Sequence, residues 1–166
     1  MVTLDEYREC LSNVREAGEI ARQNGVAILF EFLRDSPFVS TLPITLKLIR
    51  EAGHSNVRTM IDVFHFWAGP SKFEDLDLPH RGEIAHIHFE DTPDLPREIL
   101  TDSSRVIPGD GAAPLVRILR KLAEKGYGGP LSVELFGPAF QQGDPFEVAR
   151  RIREKTEAVK RQAGVL

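Results

Sequence analysis

Arg58-Thr-Met-Ile-Asp62-Val-Phe-His65-Phe66 is a β-branched and aromatic run that closes on a carboxylate and an imidazole three residues apart. Read as a strand from Val57 to Phe64, and ended by Trp67, Gly69 and Pro70, it carries Asp62 and His65 to its C-terminal end. Parallel α/β folds keep their chemistry on that rim, because the loops that leave the strands gather there. One strand end decides nothing alone, so the rest of the chain is read for others like it.

Toward the N-terminus, Thr3-Leu-Asp-Glu6 has the capping-box pattern, and Tyr7, Leu11, Val14, Gly18 and Ala21 follow at helical spacing. They predict a helix from Thr3 to about Asn24. Val26–Leu33 is apolar almost throughout, as in a strand buried on both faces, and Glu31 interrupts it. A carboxylate there needs the strand end, a cationic partner or a metal, since burying an unpaired charge is costly. Thr41–Ala52 reads as a helix with Pro43 in its first turn and Gly53 as its stop.

Toward the C-terminus, Ile84–Glu90 is a third strand, with His86, His88 and Glu90 on one face and Ala85, Ile87 and Phe89 on the other. His86, one layer deeper than His88, is expected to be a hydrogen-bonded core residue. Thr92–Gly111 holds three prolines and no sustained period, the mark of a functional cover or a connection. Ala112–Lys125 resumes a helix, Leu131–Phe136 is a fourth strand carrying Glu134, and Asp144-Pro-Phe-Glu147 starts a last helix. One strand per ~30 to 45 residues is the rhythm of βαβ units, so the expected fold is α/β with a parallel sheet in a single domain, residues 1–166.

A chain of 166 residues with 42% hydrophobic and 28% charged residues can bury an ordinary core. A net charge of −4 and a pI near 5.8 argue against a broad nucleic-acid footprint and favour a small-molecule ligand. The single cysteine, Cys10, forms no internal disulfide, and no apolar run approaches the ~20 residues that span a bilayer. A cytoplasmic location with no membrane partner is the expectation.

Glu31, Asp62, His88 and Glu134 each stand at or near the C-terminal end of a different predicted strand. Three carboxylates gathered on one rim would repel one another without a cation. Together with one imidazole they form a set suited to a single divalent ion, Mn²⁺, Co²⁺, Mg²⁺ or Zn²⁺. Taken singly, each has a blander use: Glu31 and Glu134 in ion pairs, Asp62 as a cap on the following turn, His88 as a core histidine.

Leu29-Phe-Glu-Phe32, Ile61-Asp-Val-Phe-His-Phe66, His86-Ile-His-Phe-Glu-Asp91 and Ser132-Val-Glu-Leu-Phe136 resemble the last four strand motifs of the xylose isomerase-like TIM barrels, the sugar phosphate isomerase/epimerase superfamily. His88-Phe-Glu-Asp-Thr-Pro-Asp94, Leu100-Thr-Asp102 and Arg105-Val-Ile-Pro-Gly-Asp-Gly111 are similar to the 2-keto-myo-inositol (inosose) isomerases within it. The resemblance implies Glu31, Asp62, His88 and Glu134 as metal ligands, and Glu31 and Glu134 as the catalytic acid/base pair. It implies His65, Trp67 and Arg105 as substrate contacts. The implied reaction is isomerisation of a keto-inositol or related keto-sugar through an enediolate. The alternatives are a lyase of the same fold, similar to 3-dehydroshikimate dehydratase, and a non-catalytic half-barrel remnant or assembly subunit.

Pro93 and Asp94 stand where epimerases of the superfamily tend to carry an arginine, which weakens a ketohexose epimerase reading. Ser103-Ser-Arg-Val-Ile-Pro lacks the extra ligands of the trinuclear endonuclease site, which together with the acidic pI argues against a nuclease. A (β/α)₈ barrel needs ~250 residues, so four strands resemble its C-terminal half, strands five to eight. Half a barrel leaves two sheet edges open, so a homodimer or pairing with an N-terminal half-barrel is expected.

Overall fold

Thr3 caps the first helix as its sequence requires: its hydroxyl accepts from Glu6 N–H at 3.2 Å, and the Glu6 carboxylate accepts from Thr3 N–H at 2.7 Å. The computed structural model, which describes residues 2–165, continues from there through ten elements. These are α1 (Leu4–Gln23), β1 (Ile28–Phe30), α2 (Leu42–Ala52), β2 (Val57–Asp62), α3 (Val63–Ala68), β3 (Ile84–His88), α4 (Leu115–Glu124), β4 (Leu131–Ser132), α5 (Pro138–Gln141) and α6 (Pro145–Ala163). Short 3₁₀ turns lie between them at Phe73–Asp77, Arg97–Ile99 and Asp102–Ser104.

The four strands form one sheet in the order β1-β2-β3-β4, every neighbour parallel. Parallel neighbours need crossovers, and the intervening helices supply them, as the one-strand-per-crossover rhythm predicts. The outward-facing side chains of β2 and β3 meet the helices: Ile61, Ile87 and Phe89 are fully buried, in one cluster with Leu46, Leu48, Ile118 and Leu119. Gly18 of α1 lets that helix approach the start of β2. A Cβ there would stand 2.7 Å from both His54 Nδ1 and Val57 Cγ2.

All four strands are shorter than expected, β3 ending at His88 rather than Glu90. β1 covers Ile28–Phe30 rather than Val26–Leu33, β4 only Leu131–Ser132 rather than Leu131–Phe136, and β2 stops at Asp62 rather than Phe64. The last case has a clear cause. Asp62 Oδ1 accepts the backbone N–H of His65 at 2.8 Å and so starts a helix. Val63-Phe-His-Phe favours strand by composition, but an N-cap aspartate satisfies a helix's orphan donors, and here the cap wins. β1 and β4 are edge strands, with a ladder on one side only.

The long segment after β3 is ordered by an antiparallel bridge between Asp91 and Val106 and by the two later 3₁₀ turns. Asp144 caps α6 as expected, accepting from Phe146 and Glu147 N–H. Among the described residues no helix is long and apolar enough to cross a membrane.

Candidate metal centre

β2 and β3 deliver Asp62 and His88 as their last residues, and the register sets the two side by side. Glu31 follows β1 by one residue and Glu134 lies just beyond β4. The four strand ends therefore converge on one point. His88 Nδ1 lies 3.5 Å from Glu134 Oε2, 3.6 Å from Glu31 Oε1 and 3.7 Å from Asp62 Oδ2. All four residues expected as ligands are brought together, and His65 joins Glu31 and Asp62 in an adjoining group.

These distances fit a divalent cation. The His88 Nδ1 atom is buried and has no hydrogen-bond partner among the described residues, yet three carboxylate oxygens from three strands face it. Three carboxylate oxygens and one imidazole nitrogen form the mixed donor set that Zn²⁺, Mn²⁺ or Co²⁺ accepts. Without a cation, a proton on His88 is the compensating charge: the Asp62 carboxylate first, then Glu31, outweigh burial and push its pKa up to about 10.

Asp62 is fully buried and uses both oxygens. Oδ1 caps α3, while Oδ2 accepts from Arg105 Nη2 at 3.0 Å and faces His88. Burial opposes its ionisation, but the His88 contact, the Arg105 and His65 side chains and the His65 N–H together hold its pKa down to about 2. Asp62 thus caps the helix and also stands among the converging donor atoms, where the sequence offered the cap and the ligand position as alternatives.

Arg105 arrives from the long loop and is 2% exposed. Its guanidinium lies between the rings of Phe64 and Phe136, 4.4 and 4.9 Å from their centroids. Nη2 also stands 3.3 Å from His65 Nε2 and 3.8 Å from Glu134 Oε2, so this cation borders the centre directly. His65 itself is buried behind Arg105. Trp67 takes a different place: it stacks on Arg97 of the long loop, whose guanidinium carbon is 4.5 Å from its ring centroid.

Two acidic residues of the rim carry roles that the sequence reading did not assign. Glu90 is fully buried, accepts from Phe64 N–H at 3.0 Å through Oε1, and leaves Oε2 without a partner. Burial, then the charge of Asp62, push its pKa well above the usual carboxylate range. The signal was present as the third member of the alternation His86, His88, Glu90. Asp91 accepts four backbone N–H bonds, from Thr92, Gly109, Gly111 and Ala113. His86, expected as a hydrogen-bonded core residue, is half-buried and packs edge-on against His88 with ring centroids 5.5 Å apart.

Residues 3–161 match the family described as Xylose isomerase-like TIM barrel. An inosose isomerase of Halalkalibacterium halodurans is 36% identical over 153 residues, which are 92% of this chain and 54% of that protein. A 3-dehydroshikimate dehydratase of Pseudomonas putida is 29% identical over 143 residues, 83% of this chain and 22% of that protein. Among solved structures, the IOLI protein with a binding zinc atom has a TM-score of 0.88 at 31% identity, covering 96% of this chain and 58% of that one. The chain spans about half the length of the inosose isomerases it matches. With a sheet of parallel strands, a rim of converging acidic residues and a match over nearly its whole length, the chain belongs to the xylose isomerase-like TIM barrel family.

Proposed function

We propose that this chain carries the active rim of a divalent-metal-dependent isomerase or epimerase whose substrate is a keto-inositol or a related keto-sugar. The observation that carries the reading is the set of three carboxylate oxygens around the partnerless His88 Nδ1. The similarity to inosose isomerases and to a zinc-binding neighbour supports it. Glu31, Asp62, His88 and Glu134 would hold the ion, which would polarise a carbonyl and its neighbouring hydroxyl and so acidify the C–H of the hydroxyl-bearing carbon.

Glu31 and Glu134 then have the protein's own work. They come from the two edge strands and reach the centre from different sides of His88, and they are the more exposed of the carboxylates there. One removes the α-proton and the other returns it, giving an enediolate between the two steps. Arg105, with His65 behind it, supplies the fixed positive charge beside a developing oxyanion. Asp62 is committed to the cap and to Arg105, and serves as ligand rather than base. In Glu31→Gln and Glu134→Gln, exchange of the inosose α-proton with solvent deuterium, followed by NMR, should stop; undiminished exchange in both variants would sink the proposal. Formation of a dehydrated product from 3-dehydroshikimate, and no exchange on inosose, would favour the lyase reading that the Pseudomonas relative suggests. Bound metal with turnover of neither substrate would favour a non-catalytic remnant.

We also read β1–β4 as strands five to eight of an eight-stranded barrel, and residues 1–166 as one domain of that kind. β1 and β4 each have a single neighbour, and an apolar groove flanks each open edge: about 510 Å³ between α1 and β1, about 590 Å³ between α4, α6 and β4. Helix bookkeeping favours an N-terminal half over a second copy. α1 already lines the β1 edge and α6 the β4 edge, so two copies would crowd two helices into each seam where a barrel has one. A half that begins and ends on a strand adds none. A tight, closed dimer of this chain alone in sedimentation velocity would overturn that preference. The cytoplasm is the proposed location, on the basis of the single cysteine.

A further inference from the structure

Asp91 is 2% exposed, and among the described residues no Lys, Arg or His lies within ion-pair distance of it. Its charge is met entirely by backbone. Oδ1 accepts from Thr92 N–H at 2.8 Å and Ala113 N–H at 2.9 Å; Oδ2 accepts from Gly109 N–H at 3.0 Å and Gly111 N–H at 3.1 Å. These donors come from both ends of the long loop, so one carboxylate ties its exit to its entrance. The Asp91 backbone repeats the tie, exchanging N–H and C=O bonds with Val106 at 2.9 Å each. The residue before Val106 is Arg105.

The turn is built around that carboxylate. A Cβ on Gly111 would stand 2.2 Å from Thr92 O and 2.5 Å from Asp91 Oδ1, so only glycine brings its N–H so close. Gly109 has φ of +87°, a left-handed conformation that glycine adopts without penalty. Four donors converging on one acceptor group are an arrangement that only a carboxylate satisfies, since an amide would set its NH₂ against two of them.

We infer that Asp91 is a positioning residue: by gathering the Gly109, Gly111 and Ala113 N–H groups and bridging to Val106, it fixes the loop that holds Arg105 against Asp62 and His65. Its bearing on catalysis rests on the proposed substrate role of Arg105; its effect on where Arg105 sits does not. Asp91→Asn is nearly isosteric and breaks one side of this arrangement, since its NH₂ faces two of the four donors in either orientation.

The test is residue-resolved modification of the metal-free full chain by phenylglyoxal, read by mass spectrometry. In Asp91→Asn, Arg105 should react at least about tenfold faster, the equivalent of one lost charge-assisted hydrogen bond. Arg15 and Arg120, which donate to carbonyls of α2 and of the end of α6, should keep their rates. An unchanged Arg105 rate overturns the inference. So does equal acceleration of all three arginines, which would make Asp91 a prop of the whole fold. A second readout separates positioning from general damage: Asp91→Asn should lower kcat for inosose with little change in KM, as follows when a charge aimed at a developing oxyanion is displaced, and should lower it no further in an Arg105→Ala background. Additive effects in that cycle overturn it. If the wild type does not turn inosose over, the proposed reaction fails while the modification result stands.

Discussion

The two central strands and the two edge strands contribute differently to the same centre. β2 and β3 bring Asp62 and His88, the first fully buried and bound through both oxygens, the second pinned between carboxylates. β1 and β4 bring Glu31 and Glu134, whose side chains are 28% and 35% exposed and make no hydrogen bond that fixes them. The fold thus fixes half of the centre through its own hydrogen bonds and leaves the other half more exposed, as the proton-transfer role proposed for Glu31 and Glu134 requires. A base must reach its substrate; a structural ligand must not move.

The contrast is breakable. Asp62→Ala removes the α3 cap and strands Arg105 and His88 without their buried anion, so it should cost about 3–5 kcal/mol in urea denaturation of the metal-free protein and abolish divalent binding. Glu31→Gln and Glu134→Gln should each change that stability by less than about 1 kcal/mol while still weakening binding of Zn²⁺. Equal losses from all three would erase the distinction between centre and edge. A smaller effect follows from His88, whose folded pKa of about 10 lies above its ordinary 6.5. A raised pKa adds stability that is complete below about pH 6.5 and is lost as pH rises through about 10. The melting temperature of the metal-free protein should therefore fall across that interval, and His88→Asn should flatten the decline. A melting temperature that rises there would show that His88 is not the counter-charge of the three carboxylates.

Much of the centre was legible because it follows from alternation and spacing. Glu31, Asp62, His88 and Glu134 each end an apolar run, and a parallel sheet sends such ends to one rim. What could not be read depends on which of two competing local signals wins, or on contacts between residues far apart in sequence. Nothing in Val63-Phe-His-Phe-Trp says helix; the Asp62 cap says it, and composition alone favours a strand. The pairing of Arg105 with Asp62 spans 43 positions and a loop without periodicity. Glu90 reads as one more strand-end acid, and only its complete burial beside the Asp62 charge, which raises its pKa, sets it apart from the others. The edge strands were overestimated for a related reason: an apolar run predicts a strand, but its ladder extends only as far as a neighbour pairs with it.

The stacking of Arg97 on Trp67 gives the molecule an optical property. Trp67 is the only tryptophan in the chain, half-exposed, with a guanidinium lying over its ring. Indole emission responds to a charge held against the ring and to the water that replaces it. The intrinsic tryptophan fluorescence of this protein is therefore a single-site signal from the Arg97–Ile99 turn, and any displacement of Arg97 from the ring is read from it with no label attached.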